Sequence, residues 1–477
     1  MRLSLLASAC LAALLAGCAG APSASVSGQS ARPAKNILFF LADGLGINAM
    51  TAARVYAVGE DGELTLDTLP ESAFVKTFAG DAQVTDSAAA MSAYMTGVKA
   101  NFEVLSMSAE TRSIVPAADA GGNLFVSRCN NGRPAVTLAE LAKARGMGAG
   151  IVSTARITDA TPAATYAHVC SRYLETDIAA ALVPGGAGYN PALGAGLDVI
   201  FGGGTEAFVP AAQGGKRSDG RDLLAEMAAR GYRLASNTAE LNALAPAAGR
   251  PAIGLFAKAN MRYDALRDPA LEPGLGEMTR KAIEILSRNP NGFFLMVEGA
   301  LIDGAQHNSK ARRAFEETVA FDNALKQAIA QMRVLDPGLK NTLIVATADH
   351  EHTLQINGYA PRAGKTTPEK PGVLGLSRKV ADGSLRLDRD GAPYSTLSFG
   401  NGEKRVAGSR AAAPALTDAI VGAPDYQQES TIRMPAGEST HGGTDVYLGA
   451  LGAGAERFRG TIDNTEVFGL IKAAAGW

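Results

Sequence analysis

Acidic and histidine residues end or directly follow three apolar segments of this sequence. They are Asp43, Glu298 and the pair Asp349–His350. Each segment has the unbroken apolar character of a buried strand. Ligands of open α/β sheets bind outside the carboxyl ends of the strands, so we expect these side chains to form one site. A single Asp in this position is more often a turn or helix cap, and only the repetition favours a site.

Imidazole and carboxylate groups also recur at spacings that suit a metal ion. Asp303 and His307 lie four residues apart and would share one face of a helix. His352 follows closely on His350, and His441 precedes two glycines. Carboxylate oxygen and imidazole nitrogen are both zinc ligands. The chain has only 5 His and 4 Cys, which excludes a Cys/His zinc framework, so a metal site must rely on carboxylates. A surface helix pair and solvated histidines remain the alternatives.

Ser87 begins a segment of small and apolar residues that is typical of a helix. The free N–H groups and the dipole at a helix N-terminus favour anions, and they would stabilise a serine alkoxide or a bound phosphate. Asp86 and Ser87 are equally compatible with a helix cap that has no chemical role.

Asp159 and Thr161 precede a proline, a pattern that first indicates a helix cap with Pro162 as the first helical residue. Their oxygen atoms would alternatively suit a hard metal ion. Arg172 lies eleven residues after Thr161. An arginine can bind phosphate through two parallel hydrogen bonds, although taken alone Arg172 is one of many surface arginines.

Apolar strands and helical segments alternate along most of the chain, which predicts an α/β fold. We expect a three-layer sandwich with a central, mostly parallel sheet flanked by helices. The predicted strands are 36–42, 150–154, 198–201, 293–297 and 343–347, and the predicted helices are 87–95, 137–145, 276–288 and 311–332. Residues 358–428 are rich in Gly, Pro, Lys and Arg and are predicted to be an irregular, cap-like insertion in a catalytic domain of residues 35–477.

The N-terminus has the features of an export signal. A basic residue, an apolar run and small residues predict a signal peptide over 1–17, too short to remain as a membrane span. Leu15–Cys18 resembles the lipobox of bacterial lipoproteins, which implies a lipid anchor at Cys18, a flexible tether over 18–34 and a periplasmic, membrane-anchored protein. An ordinary signal and a soluble periplasmic or secreted protein are the alternatives. In that oxidising compartment Cys129 and Cys170 can either pair or stay as free thiols.

The composition narrows the function classes further. The chain of 477 residues is 47% apolar, which excludes a disordered protein and allows a large core. With 45 basic and 47 acidic side chains its net charge is -2, so nucleic acid binding is not expected.

Six of these motifs together make the chain resemble bacterial alkaline phosphatases. They occur in the order of that family, and the resemblance extends from about Asn36 to Val446. The motifs are Asp43–Gly46, Asp86–Ala88, Asp159–Ala164, Glu298–Asp303, Asp349–His350 and Thr440–Gly443.

The resemblance implies two zinc ions and one magnesium ion per chain. One zinc would be bound by Asp303, His307 and His441. The second would be bound by Asp43, Asp349 and His350, with Ser87 facing it. The magnesium ligands would be Asp43, Asp159, Thr161 and Glu298. The resemblance further implies that His352 orients a ligand from outside the coordination shell, whereas His168 has no ligand role and is expected to be structural.

The activity implied is hydrolysis of phosphate monoesters through a phosphoserine at Ser87, with Arg172 binding the phosphoryl group and inorganic phosphate released. The alternatives are a phosphodiesterase of the same superfamily and a lipid-anchored phosphate- or metal-binding protein without turnover. A sulfatase is disfavoured because no Cys-x-Pro-x-Arg sequence surrounds Ser87. Family members are commonly dimeric, so a homodimer is an option. The sequence departs from the best-known bacterial form at Gly304, where that form has a lysine near phosphate and magnesium.

Overall fold

A ten-stranded mixed sheet forms the centre of the protein. Its order is β17-β2-β16-β10-β1-β9-β5-β6-β8-β7, and β16 alone runs opposite to the others. The central strands are apolar and buried on both faces, as the sequence pattern predicts for parallel strands covered by helices. The sheet strands are β1 (Asn36–Ala42), β2 (Glu71–Lys76), β5 (Gly148–Arg156), β6 (Val199–Gly203), β7 (Arg233–Ala235), β8 (Ala252–Leu255), β9 (Phe293–Gly299), β10 (Thr342–Thr347), β16 (Val446–Gly452) and β17 (Gly460–Asp463).

Helices flank this sheet. In one group α10 contacts both α8 and α1, and α8 and α10 pack on the strands. In a second group α2 contacts α3, α4 and α12. The helices are α1 (Ile47–Val58), α2 (Ser87–Thr96), α3 (Leu138–Ala144), α4 (Ala160–Ala163), α5 (Glu175–Ala180), α6 (Leu223–Ala229), α7 (Thr238–Ala243), α8 (Leu275–Leu286), α9 (Leu301–His307), α10 (Ala311–Leu335), α11 (Asp418–Val421) and α12 (Asn464–Ala475). The predicted α/β fold with a mostly parallel, helix-flanked sheet is confirmed.

The remaining strands are short. They are β3 (Ala117–Ala118), β4 (Leu124–Phe125), β11 (Glu351–His352), β12 (Leu354–Ile356), β13 (Leu397–Gly402), β14 (Ser430–Arg433) and β15 (His441–Gly442). Residues 358–428, predicted as an insertion, contain β13, α11 and many turns, and β13 pairs with the flanking strands β12 and β14. The pairing joins the two ends of this segment in one small sheet.

The computed structural model describes residues 32–118, 124–125, 129–247 and 249–477. The predicted signal peptide, Cys18 and nearly all of the tether lie outside the described residues. Pro33–Trp477 folds as one unit. Within the described part of the chain, no helix combines the length and the apolar character needed to cross a bilayer.

The register of three neighbouring strands determines where the functional residues meet. β1 lies between β9 and β10 and runs parallel to both. Leu41 pairs with Glu298 on one side and with Thr347 on the other. The backbone that follows these strands therefore emerges at one edge of the sheet, which brings Asp43, Glu298 and Asp349 together.

A disulfide links Cys129 to Cys170, with their Cα atoms 5.5 Å apart. The sequence left this pairing open, since it contains no information on the distance between the two thiols. The bond closes a loop over a sequence separation of 41 residues and ties that loop to the segment that carries Arg172.

We predict that replacing both cysteines, Cys129→Ser with Cys170→Ser, lowers the free energy of unfolding by about 4 kcal/mol, because a cross-link over a loop of this length removes entropy from the unfolded chain. Urea unfolding of the oxidised protein and of the double variant measures the difference. Reducing the native protein should lower its stability by a similar amount and leave the variant unchanged; equal stability of all three forms would contradict the prediction.

Candidate metal centre and active site

Three buried carboxylates lie at the edge of the sheet where β1, β9 and β10 end. Glu298 belongs to β9, while Asp43 and Asp349 follow the last residues of β1 and β10. The N–H of Gly44 donates to Asp349 Oδ1 over 3.0 Å and holds the two turns together. Gly44 has φ +73°, and a Cβ at this position would lie 2.9 Å from the His352 ring, so only glycine fits this turn without strain.

These carboxylates lack enough donors to balance their charge. Burial, together with mutual repulsion, raises the pKa of Asp43, Asp349 and Glu298. Asp43 Oδ1 and Asp349 Oδ2 are buried oxygens without a hydrogen-bond donor. Buried anions of this kind require a cation, and a set of oxygen ligands fits a divalent metal ion.

An imidazole cluster lies beside the carboxylates. His307 Nε2 is 3.3 Å from Asp303 Oδ2, one helical turn away on α9, as the spacing predicts. His441 Nε2 lies 3.2 Å from His307 Nε2. The Nδ1 atoms of both rings face backbone carbonyls, those of Ser439 at 2.5 Å and Thr85 at 2.8 Å. Because a ring that donates from Nδ1 has its lone pair on Nε2, both rings are oriented to bind a metal ion at the centre of the cluster.

His352 also belongs to this cluster. Its Nε2 lies 2.6 Å from Asp303 Oδ1, and the ring is buried. Asp303, His307, His352 and His441 lie close enough to bind one ion together, and Asp43, Asp349 and His350 form a second such group. Burial would raise the pKa of Asp303, but His307 and His352 outweigh it and lower that pKa well below the usual range.

His350 connects the second group to Ser87. Its Nε2 lies 3.2 Å from Asp349 Oδ2, 3.5 Å from Asp43 Oδ1 and 3.3 Å from Ser87 Oγ. Burial lowers the pKa of His350 to about 3, so the ring is neutral and its lone pair is free for a metal ion. The ring stacks on His441 with centroids 3.5 Å apart, which brings the two groups of ligands next to each other.

Ser87 is the first residue of α2, as predicted. Asp86 caps this helix by accepting a hydrogen bond from the N–H of Ala89. Every residue of α2 is buried, so the helix is fixed and its N-terminus with Ser87 faces the site rather than bulk water. Arg172 donates to Asp86 Oδ2 from Nη1 at 3.0 Å, which attaches a guanidinium to the residue that precedes Ser87.

Asp159 is both a cap and part of the site. It caps α4 through the N–H of Ala160. Pro162 is the third residue of this helix, whereas the sequence pattern predicted it to be the first. Its carboxylate accepts from Arg172 Nη2 at 3.2 Å and lies 3.0 Å from Arg156 Nη2. Burial opposes ionisation, but the two arginines outweigh it and lower the pKa of Asp159.

The residues assigned to magnesium are not equally close to one another. Thr161 Oγ1 donates to Asp43 Oδ2 at 3.4 Å, and Glu298 adjoins Asp43 at the sheet edge. Asp159 is held by the two arginines and is not among the described groups of three or more acidic or histidine residues that lie close enough to share an ion.

Three residues that sequence reasoning missed support this site. Ser153 on β5 donates to Glu298 Oε2 at 2.5 Å, and Gln306 donates to the carbonyl of Gly44 at 2.7 Å. Arg156 pairs with Asp159. Ser153 is opposite Glu298 in the β5–β9 register, a signal that was accessible only after strand pairing was known. His168 lies outside the cluster between the Ser106 carbonyl and Glu140, in the structural role expected for it.

A cavity of about 600 Å³ opens over these groups. It is lined by Asp86, Asp159, Arg172, His307 and His441 among others, and its rim includes the exposed aromatic rings of Phe102 and Tyr173. The cavity therefore gives a small anion access to the Arg172 guanidinium and to the rings of His307 and His441, beside Asp86, the residue that precedes Ser87.

The sequence of the chain matches the family described as alkaline phosphatase over residues 34–477. The chain belongs to the alkaline phosphatase family. It is 34% identical to the membrane-bound alkaline phosphatase of Bombyx mori, over 92% of this chain and 80% of the relative. It is also 34% identical to an alkaline phosphatase of Gadus morhua, over 91% of this chain and 90% of the relative.

Solved structures of alkaline phosphatases share the fold. The enzyme of Thermus thermophilus superposes with a TM-score of 0.65 at 24% identity, over 93% of this chain and 92% of that one. A variant of the enzyme of the Antarctic bacterium TAB5, with Mg bound in its M3 site, gives a TM-score of 0.63 at 23% identity, over 93% of this chain and 99% of that one. At these identities the likeness concerns the fold.

The buried carboxylates predict how metal removal changes stability with pH. In the metal-free folded protein Asp349 and Glu298 have pKa values of about 7 and about 8, whereas unfolded carboxyls titrate near pH ~4. From about pH 6.5 to pH 8 the folded state therefore holds more protons than the unfolded state, and the free energy of unfolding should fall by about 2 kcal/mol. Below this window the buried histidines with lowered pKa act in the opposite direction.

Urea unfolding of chelator-treated protein across this pH window measures the effect. The metal-loaded protein is the control, because Glu317, whose pKa burial raises to about 8, contributes to both forms. The difference in stability between loaded and metal-free protein should widen as pH rises. A difference that stays constant or narrows would show that the carboxylates do not hold these protons.

Proposed function

We propose that this family member hydrolyses phosphate monoesters with Ser87 as the nucleophile and a phosphoserine as the intermediate. The observation that carries the proposal is the position of Ser87 Oγ. It lies at the N-terminus of a buried helix, 3.3 Å from His350 of one group of metal ligands, while Asp86 beside it binds Arg172. A nucleophile, a cation site and a guanidinium thus surround one point.

The ligand chemistry fits two zinc ions and a magnesium ion. Asp303, His307 and His441 would hold one zinc, with His352 fixing Asp303 from behind. Asp43, Asp349 and His350 would hold the other. Asp43, Thr161 and Glu298 would hold magnesium, and Asp159 would act near it. Bound metal ions would supply Lewis acidity that lowers the pKa of a hydroxyl group and stabilises the oxygen of the leaving group.

Ser87 forms the covalent bond. Its Oγ–P bond forms as the bond from phosphorus to the leaving oxygen breaks, the hydroxyl proton is lost and the leaving alkoxide takes up a proton. In the second half of the reaction water displaces Ser87 Oγ from phosphorus, which releases inorganic phosphate and restores the serine. The rigid packing of α2 keeps Oγ in the same place for both displacements.

Arg172 binds the phosphoryl oxygens. A guanidinium has five N–H donors, and the contacts to Asp86 and Asp159 use Nη1 and Nη2 without exhausting them. The N-terminus of α2 adds free N–H groups that favour the same negative charge. Together they stabilise the charge on the phosphoryl group as it is transferred.

A phosphodiesterase is the runner-up function within the same superfamily. Thr161 and Glu298, which would complete the third set of ligands with Asp43, favour the monoesterase, because a diesterase would usually lack that set. A binding protein without turnover is disfavoured by the intact Ser87 at the helix end. Comparing turnover of a phosphate monoester with that of a diester separates the two enzymes, since we expect the monoester to be the faster substrate.

We further propose that the chain is exported and anchored through a lipid on Cys18. The lipobox-like Leu15–Cys18 supports this proposal, and the Bombyx mori relative is called membrane-bound. A homodimer remains an assembly that the family resemblance allows. The proposed ligands of the protein are phosphate monoesters and inorganic phosphate.

We predict that Ser87→Ala lowers monoester turnover by at least about a thousandfold, because the nucleophile is lost. Acid quenching during turnover followed by mass spectrometry should find one phosphate on the Ser87 peptide of the native protein and none in the variant. Ser236→Ala, at a surface serine that bonds Glu240, is the matched control and should keep full activity. Turnover that persists in Ser87→Ala would overturn the mechanism.

Gly304 yields a second prediction. A Cβ at this position would have no atom within 4 Å, so a longer side chain can be accommodated on α9. We expect Gly304→Lys to strengthen inhibition by inorganic phosphate about tenfold and to slow turnover, because an added positive charge retains the product; a tenfold change corresponds to about 1.4 kcal/mol.

Gly304→Gln is the neutral control for this variant, since it adds similar bulk and removes the same helical glycine. Inhibition constants for phosphate measured at one salt concentration compare the two. If Lys and Gln give the same constant, product retention does not depend on charge at this position.

A further inference from the structure

Arg156 is the last residue of β5, and each of its three guanidinium nitrogens lies against an acceptor of the protein. Nη2 is 3.0 Å from Asp159 Oδ2, and Nε is 3.2 Å from Glu175 Oε1 in an ion pair that lacks hydrogen-bond geometry. Nη1 donates to Asn260 Oδ1 at 2.8 Å. Thr158 in turn donates to the other oxygen of Glu175. The side chain is thus fixed in the wall of the cavity that Asp86, Asp159 and Arg172 also line.

Arg156 and Arg172 share one carboxylate. Asp159 presents Oδ2 to Arg156 and Oδ1 to Arg172, with Oδ1 also accepting from the N–H of Ala160. Arg172 continues to Asp86, the residue before the nucleophile. Charges therefore alternate along a chain from Arg156 through Asp159 and Arg172 to Asp86, and three of these four side chains remain partly exposed to the cavity.

We infer that Arg156 is a positioning residue, which keeps Asp159 from engaging Arg172 with both oxygens and so leaves Arg172 free to bind the phosphoryl group. Without Arg156 the carboxylate has no partner at Oδ2 and can rotate to form a two-point pair with Arg172. Such a pair would occupy N–H groups that phosphate needs. The inference rests on the proposed role of Arg172 in phosphate binding.

The contacts of Arg156 argue against direct binding of the substrate. All three of its guanidinium nitrogens face Asp159, Glu175 or Asn260, whereas the described contacts of the Arg172 guanidinium with acceptors involve only Nη1 and Nη2, at Asp86 and Asp159. The positive charge of Arg156 also offsets the negative charge of Asp159. This chain has Gly304 where the best-known bacterial form has a lysine near phosphate and magnesium. The effect of Arg156 on the phosphate therefore passes through Asp159.

The test compares metal-loaded native protein with Arg156→Gln and Arg156→Lys, using para-nitrophenyl phosphate as substrate and inorganic phosphate as inhibitor. For Arg156→Gln we expect KM and the phosphate inhibition constant to rise about tenfold, with kcat changed less than about threefold. Arg156→Lys should recover most of the loss, because it keeps a charge near Asp159. Arg262→Gln, at an exposed arginine near Glu272, is the control and should change neither constant.

Two further variants locate the effect. In an Asp159→Asn background, Arg156→Gln should change the phosphate inhibition constant less than about twofold, since the neutral amide does not compete for Arg172. An undiminished effect in that background would mean that Arg156 contacts the ligand itself, and would overturn the inference. An unchanged phosphate inhibition constant in Arg156→Gln alone would also overturn the inference. So would a loss of phosphate affinity that Arg156→Lys does not recover and that accompanies a lowered melting temperature, since a purely structural role would explain both.

Arg172→Ala separates this inference from the proposed function. We expect it to weaken phosphate inhibition more than Arg156→Gln does. If Arg172→Ala leaves phosphate inhibition unchanged, the proposed phosphate-binding role of Arg172 is wrong and the inference is wrong with it. If Arg172→Ala acts as expected and Arg156→Gln does not, only the inference fails.

Discussion

Buried negative charge is the constraint on which the rest of this structure depends. Parallel strands place Asp43, Glu298 and Asp349 at one sheet edge, where water cannot solvate them. Burial raises the pKa of all three, so ionisation requires a compensating cation. The neutral imidazoles of His350 and His441 beside them have free lone pairs rather than positive charge. Burying these carboxylates lowers the free energy of unfolding, and metal ions that bind the folded state raise it again. The stability of the protein therefore depends on its metal content.

Arginines, rather than metal ligands, neutralise the carboxylates of Asp86 and Asp159 in the wall of the cavity. This side therefore needs no metal ion and can face an anion. Ser87, at the start of α2, has its Oγ 3.3 Å from His350 and directly follows Asp86, which pairs with Arg172. A phosphate monoester, an anion with a leaving oxygen, matches a site that has cation ligands on one side and guanidinium groups on the other.

Rigid elements hold both walls in place. The candidate ligands Asp43, Glu298 and Asp349 lie at the ends of central strands, and Asp303 and His307 lie on α9. Arg172 lies in a segment held by the Cys129–Cys170 disulfide and by hydrogen bonds to Glu103. Glu103 itself has φ +64°, an uncommon conformation for a residue other than glycine, and its N–H bonds Asp86. Backbone strain is therefore present close to Ser87, the proposed nucleophile.

The sequence alone determined the fold class and most of the chemistry. Apolar strands ended by acids predicted the sheet edge, the spacing of Asp303 and His307 predicted their shared face, and Ser87 was expected at a helix start. Only the tertiary structure decided which groups meet: the stacking of His350 on His441, the disulfide, and Arg156 sharing Asp159 with Arg172. Local patterns encode periodicity and caps, but contacts between residues distant along the chain depend on strand order and register, which periodicity does not specify.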